Sequence, residues 1–514
     1  MRKEYFLKSG VFLGILACFF VFGILAAHGA NSLPPRTVLI AENTAAVSVV
    51  ETEEAAPVVA EEPVAAEDAA VEAPAAAPAA NAAVACNCEA CSGCYESYEY
   101  VPGGIFGDGL GFGFFGGGFG GFSDPYYGSR LKIGGHIETG IYANGKGNKT
   151  KFDADGKIPT SGNSDRLGKL QSTGWQVQQA WLYAERALSE DRCGFDWGFR
   201  IDGLFGTDAY AMQSWGDGSF DGSWKNRGEY GFAIPQMYIE LAYNRLSVKL
   251  GKFMTPIGYE AVPATEMLFY SHSYMYDREP GTHTGALFTF AYDENLSIFA
   301  GVTTGQDTGW GNNYKDTGFL AGFEAQLTTK LRMGYGFMWN KVHGSDDRPY
   351  TPAMWDSPIV SAGRPTAFLR DGQTGDESLH SLVFTWNLTD RMTIGLQGNY
   401  GKTTKTNGRT NDKQTMYEQF GTAVYLDYQL ACNLSADFRG EWFRQNATMV
   451  GNQSVWGHQN CYEITAALNY SPFDWLTIRP EIRYDAVYGE NRNVFDGGTK
   501  NTQLSGGVGA IIKF

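Results

Sequence analysis

Two short runs near the C-terminal end put charge on every second residue. LTIRPEIRYD carries Arg479, Glu481, Arg483 and Asp485 in one phase, and LSADFRGEW carries Asp437, Arg439 and Glu441. Alternation turns successive side chains to opposite faces of a strand, so each run predicts one face bearing both signs of charge and another that is apolar. A face of that kind suits the wall of a water-filled lumen, where charged groups tune which ions pass. The same reading assigns Arg200, Asp202, Glu240, Lys249 and Arg332 to the lumen, many of them as ion pairs that stiffen the wall.

A second constellation is CNCEACSGC, with Cys86, Cys88, Cys91 and Cys94. Its C-x-x-C spacing lets thiolates converge on a soft metal such as zinc, while an oxidising compartment would turn the same residues into disulfides or cross-links. No organic cofactor is expected. Catalysis finds little support: His136, His272, His283, His380 and His458 lie in no nucleophile motif. The formal G-x-G-x-x-G at Gly111, Gly113 and Gly116 follows no strand pattern and opens no helix, so it is not read as a dinucleotide site.

The elements that must position these residues follow from the whole chain. Residues 1–30 combine Arg2, Lys3 and Lys8 with an apolar run from Val11 to Ala27 and the small-residue stretch AAHGAN, the layout of a secretory signal peptide. Residues 31–85 form an Ala/Pro/Glu-rich tract with nine acids against Arg36, too poor in large apolar groups to fold, and are expected to be a periplasmic linker. Residues 86–129 hold the cysteine cluster and a Gly/Phe-rich segment. No basic stripe suits nucleic acid.

From residue 130 to 514 the texture changes to alternating segments punctuated by turns. About sixteen are counted, and the links between them are alternately short, such as Asn244-Arg245, Asp293-Glu294 and Thr329-Lys330, and long, such as 144–172, 255–282 and 344–377. Short turns on one side and long loops on the other predict an all-β fold, a transmembrane antiparallel up-and-down barrel in an outer membrane. The final strand, QLSGGVGAIIKF, must pair with the first to leave no edge in lipid. Its terminal Phe514 resembles the signal read by the barrel assembly machinery.

The stretch VKLGKFMTPIGYE, followed by YSHSYMYDREPGTHTGALFTF, resembles the OmpL-like β-barrel porin family over roughly Gln178 to Phe514. The resemblance implies an outer-membrane porin passing small hydrophilic solutes, with no catalytic residues to carry over. In sixteen-stranded porins the third long loop narrows the lumen. Here that loop is 255–282, and Glu260, Glu266, Asp277, Arg278 and Glu279 are expected as constriction charges facing bases such as Arg200 or Lys249. The remaining expectations are a homotrimer, and cell-wall contact through the linker. The alternative is a barrel plugged by residues 103–122 and serving as an envelope anchor or adhesin.

Overall fold

The computed structural model describes residues 130–144, 175–189, 194–214, 230–310, 316–343, 373–406, 413–447, 457–490 and 499–514, with residues 221, 225–226, 492–493 and 495. The expected signal peptide, linker, cysteine cluster and Gly/Phe segment lie outside the described residues.

The chain runs through β1 (Leu131–Asn144), β2 (Trp175–Arg186), β3 (Phe195–Gly206), the ribbon β4 (Lys225–Asn226), β5 (Tyr230–Ala233), β6 (Met237–Tyr243), β7 (Leu246–Met254), β8 (Thr282–Ala291) and β9 (Leu296–Gln306). It continues through β10 (Thr317–Thr328), β11 (Leu331–His343), β12 (Thr374–Thr389), β13 (Met392–Thr406), β14 (Lys413–Ala431), β15 (Leu434–Ala447), β16 (Gly457–Phe473), β17 (Leu476–Gly489) and β18 (Thr502–Lys513). Every consecutive pairing is antiparallel, and β5 and β6 occupy one place beside β3, separated where Pro235 has no N–H to give the ladder. With β4 a small ribbon paired to β5, the barrel has sixteen strands.

Closure comes from β1 and β18, in register from His136↔Lys513 to Asn144↔Ser505. The pairing runs to the last residue: Gly135 N–H donates to the Phe514 carbonyl at 2.8 Å, and Phe514 N–H donates to the Gly135 carbonyl at 3.0 Å. No backbone edge is then left to be satisfied in hydrocarbon. At the short-turn end, Asn244 takes φ 51° in the two-residue link to β7, the left-handed conformation that such hairpins require and that Asn tolerates.

Alternation sorts the side chains. Ile133, Ile239, Leu250, Val302, Leu396, Ile464, Ile482 and Val508 face outward and exposed, with Trp175, Tyr243, Tyr292, Trp386, Phe473, Trp475 and Tyr488 toward the strand ends. A belt of this kind is stable against lipid and not against water. The opposite phase faces in and divides into two walls. On β15 to β17 it is charged, with Asp437, Arg439, Glu441, Glu463, Arg479, Glu481, Arg483 and Asp485 all buried. On β8 to β12 it is apolar, with Leu287, Phe299, Leu320, Met338, Leu379 and Val383 in one buried cluster.

Candidate functional site

Between β7 and β8, residues 255–281 fold back inside the barrel. Thr255 N–H donates to the Gly281 carbonyl at 3.1 Å and closes the loop's base. Asp307 fixes the exit by accepting N–H bonds from Gly281 at 2.8 Å and Thr282 at 2.7 Å. The loop holds only two short 3-10 turns, Ala264–Glu266 and Tyr276–Arg278. Most of its backbone polar groups therefore need partners from elsewhere.

The charged wall supplies them. Arg479 donates to the carbonyls of Ala264 at 3.2 Å, Met267 at 2.5 Å and Phe269 at 3.2 Å. Glu481 accepts the N–H groups of Tyr270 at 2.7 Å and Ser271 at 3.1 Å. Arg439 and Arg483 donate to the next two carbonyls, Ser271 at 2.8 Å and His272 at 2.5 Å. Glu441 then takes the N–H groups of Tyr274 at 2.6 Å and Met275 at 2.7 Å. Cations meet carbonyls and carboxylates meet amides in the order of the chain, so alternating charge on β15 and β17 serves as a template for an irregular backbone. Charge-assisted bonds of this kind are about twice as strong as neutral ones.

The loop's own acid completes the clamp. Glu260 lies 3.0 Å from Arg439 and 2.9 Å from His272 Nδ1, and accepts Ser273 N–H at 3.1 Å. Burial disfavours its charge, but the Arg439 guanidinium and the His272 and Ser273 donors prevail and hold its pKa down to about 2. Tyr270 and Tyr276, buried near carboxylates, have phenol pKa values pushed well above the ordinary range. Glu463 bridges Arg439 and Arg483 from beneath the loop.

The other side of the loop is held by shape. Ile257 joins the apolar cluster of β8 to β12, and Tyr259 stacks on Tyr425 with ring centroids 4.1 Å apart. Tyr259 lies in a cradle on β13, where a Cβ on Gly395 would come within 2.6 Å of its ring.

A family model described as "Putative beta-barrel porin-2, OmpL-like" matches residues 130–514, the whole barrel. The chain belongs to this porin family. No curated protein matches it. Among solved structures, a loop-deleted OmpT, an outer membrane protein of Vibrio cholerae, is similar at TM-score 0.46 and 11% identity, over 75% of this chain and 99% of that one. The anion-selective porin from Comamonas acidovorans gives TM-score 0.45 and 11% identity, over 75% and 99%. Salmonella typhi OmpF in complex with daunomycin gives 0.46 and 12%, over 75% and 97%.

In the OmpL-like porin, the residues expected to line the lumen fall into three places. Arg439, Glu441, Arg479, Glu481 and Arg483 converge on the loop backbone. Arg200, Asp202, Glu240 and Lys249 form a separate inner patch on β3, β6 and β7: Arg200 donates to Asp202 at 2.8 Å, and Lys249 lies over the Tyr238 ring at 4.6 Å. Arg332 sits near the short-turn end and donates to Gln326 at 3.2 Å. On the loop, Arg278 reaches Gln445 at 3.3 Å, while Glu266 and Asp277 are half-buried. The expected pairing is corrected in one respect: Glu260 meets Arg439, not Arg200 or Lys249, because the loop crosses toward β13 to β18. Sequence reasoning missed Glu463, Gln397 and Asn399, although their inward phase was readable, and missed the apolar wall altogether.

Proposed function

We propose that the OmpL-like porin passes small hydrophilic solutes and ions by passive diffusion along a path whose narrowest level is set by the inward loop 255–281. The observation that carries this reading is the clamp of Arg439, Glu441, Arg479, Glu481 and Arg483 on backbone groups of that loop spread from Ala264 to Met275. An irregular segment held at so many points keeps a fixed position in the lumen. Glu260, Glu266, Asp277, Arg278 and Glu279 are its charges, with the β3 to β7 patch of Arg200, Asp202, Glu240 and Lys249 forming part of the wall and Arg332 its short-turn mouth.

The protein is an outer-membrane barrel, and lipid covers its apolar belt. Residues 31–85 act as a periplasmic linker able to contact the cell wall, Cys86, Cys88, Cys91 and Cys94 form disulfides or hold a soft metal, and Phe514 is the handle for barrel assembly. The barrels assemble as homotrimers. No catalytic role is part of this reading.

The deep burial of inward residues at the loop's level favours one second reading, a barrel closed by its loop and serving as an envelope anchor. Single-channel recording of the full chain in a planar bilayer separates the two. Discrete, long-lived steps with weak ion selectivity support the porin reading. A correctly inserted, heat-modifiable barrel that gives no steps supports the anchor.

A further inference from the structure

The outgoing limb of the loop ends at Glu279, and this carboxylate is held differently from the others. Its Oε1 accepts amide N–H bonds from Gln397 and Asn399, adjacent inward residues of β13, each at 2.5 Å. Its Oε2 packs on the incoming limb, where a Cβ on Gly258 would meet it at 2.2 Å; Gly258 has φ 104°, so glycine is required there twice over. A cavity of about 20 Å³, room for one water, separates the limbs and is lined by Glu279, Glu260, Tyr259 and Tyr276, among others. The Tyr276 hydroxyl is buried and lacks a hydrogen-bond partner among the described residues.

The groups that face Glu279 include no base among its described partners. From β13 come two neutral amides. Tyr425 on β14 and Ser381 on β12 reach it only through Gln397. From the loop come the phenols of Tyr259 and Tyr276 and the carboxylate of Glu260. Arg278, next in sequence, turns away to Gln445 and the Tyr417 ring, and Arg439 is engaged by Glu260 and Glu463.

We propose that Glu279 is a proton-operated latch on the constriction: protonated, it fastens the outgoing limb to β13, and ionised, it loosens that limb and widens the path. This rests on the reading of the loop as the narrowest level of the pore. A buried carboxylate with only amide donors is costly to ionise. Burial first, and then the charge of Glu260, push its pKa up to about 8 against the Asn399 and Gln397 donors. The pKa in the docked loop lies above the ordinary 4.5, so docking is strongest below that value and weakens as pH rises through about 8.

The test is single-channel conductance of the full chain in planar bilayers from about pH 6 to about pH 9.5, spanning the titration, for the wild type and Glu279→Gln. Hydrogen exchange of the amides in residues 276–282 is measured over the same range in the wild type. The latch gives a rise in wild-type conductance centred near pH 8, loss of that rise in Glu279→Gln, which stays at the low-pH level, and faster exchange in the segment as the pH rises. A conductance rise that survives in Glu279→Gln overturns it, as does exchange that stays flat after correction for intrinsic rates. If neither protein conducts at any pH, the pore reading falls, and the exchange profile alone decides whether Glu279 releases the limb.

Discussion

The inner walls of β15 to β17 and of β8 to β12 face the same lumen and hold the same loop by different physics. The charged wall bonds to the loop's backbone, group by group, through Arg479, Glu481, Arg483, Arg439 and Glu441. The apolar wall buries Ile257 against Leu287, Phe299, Leu320, Met338, Leu379 and Val383. Hydrophobic burial is non-directional and scales with area, whereas charge-assisted hydrogen bonds fix individual groups in place. The apolar wall therefore contributes adhesion and the charged wall contributes position. A segment without repeating structure needs both, because its own N–H and C=O groups cannot satisfy each other.

The division is most sharply broken at Arg439. Arg439→Leu removes the guanidinium shared by Glu260 and Glu463, leaving them to His272 and Arg483 respectively, and should cost about 3–5 kcal/mol, read as a lower melting temperature, together with larger single-channel steps as the loop moves. Leu320→Ala, on the other wall, should cost about 2–5 kcal/mol in the same melting experiment while leaving conductance close to wild type. If Leu320→Ala opens the pore as far as Arg439→Leu does, position is not the property of the charged wall alone.

Gly395→Ala tests shape. Its new methyl meets the Tyr259 ring and should cost about 1–3 kcal/mol, with a small change in conductance from a displaced incoming limb. The acid limb of stability tests the clamp without mutation. The Glu260 pKa is depressed from 4.5 to about 2, so its contribution is fully present above about pH 4.5 and is lost as pH falls through about 2. Melting temperature measured down that range should fall in the wild type and fall less in Glu260→Gln, which starts lower.

How much of this was legible in the chain depends on which partner a residue meets. Strand against strand was legible: alternation and turn residues such as Asn244-Arg245 mark all sixteen segments, with the fourth split at Pro235. The sign pattern of β15 and β17 was legible as an inward face. What it binds was not, since the partners of Arg479 and Glu481 are backbone atoms, which have no sequence signature. Glu260 was expected near Arg200 or Lys249 because strand order gives neighbours around the barrel but not the course of a loop across it. The apolar wall was hidden for another reason. In LRMGYGFMWN the outward phase of Met333, Tyr335, Phe337 and Trp339 is apolar, while the inward phase is polar at its ends, Arg332 and Asn340, and small or apolar between them at Gly334, Gly336 and Met338. Between those ends polarity does not separate the two faces, so the apolar character of the inner wall was not readable.

The most direct measurement is single-channel conductance of the full chain beside a variant in which residues 262–276 are replaced by a short Gly/Ser linker, both checked for heat-modifiable folding. A loop held inside the lumen by the charged wall requires larger steps from the shortened protein. Equal steps from two folded barrels would mean that the loop does not set the width of the path.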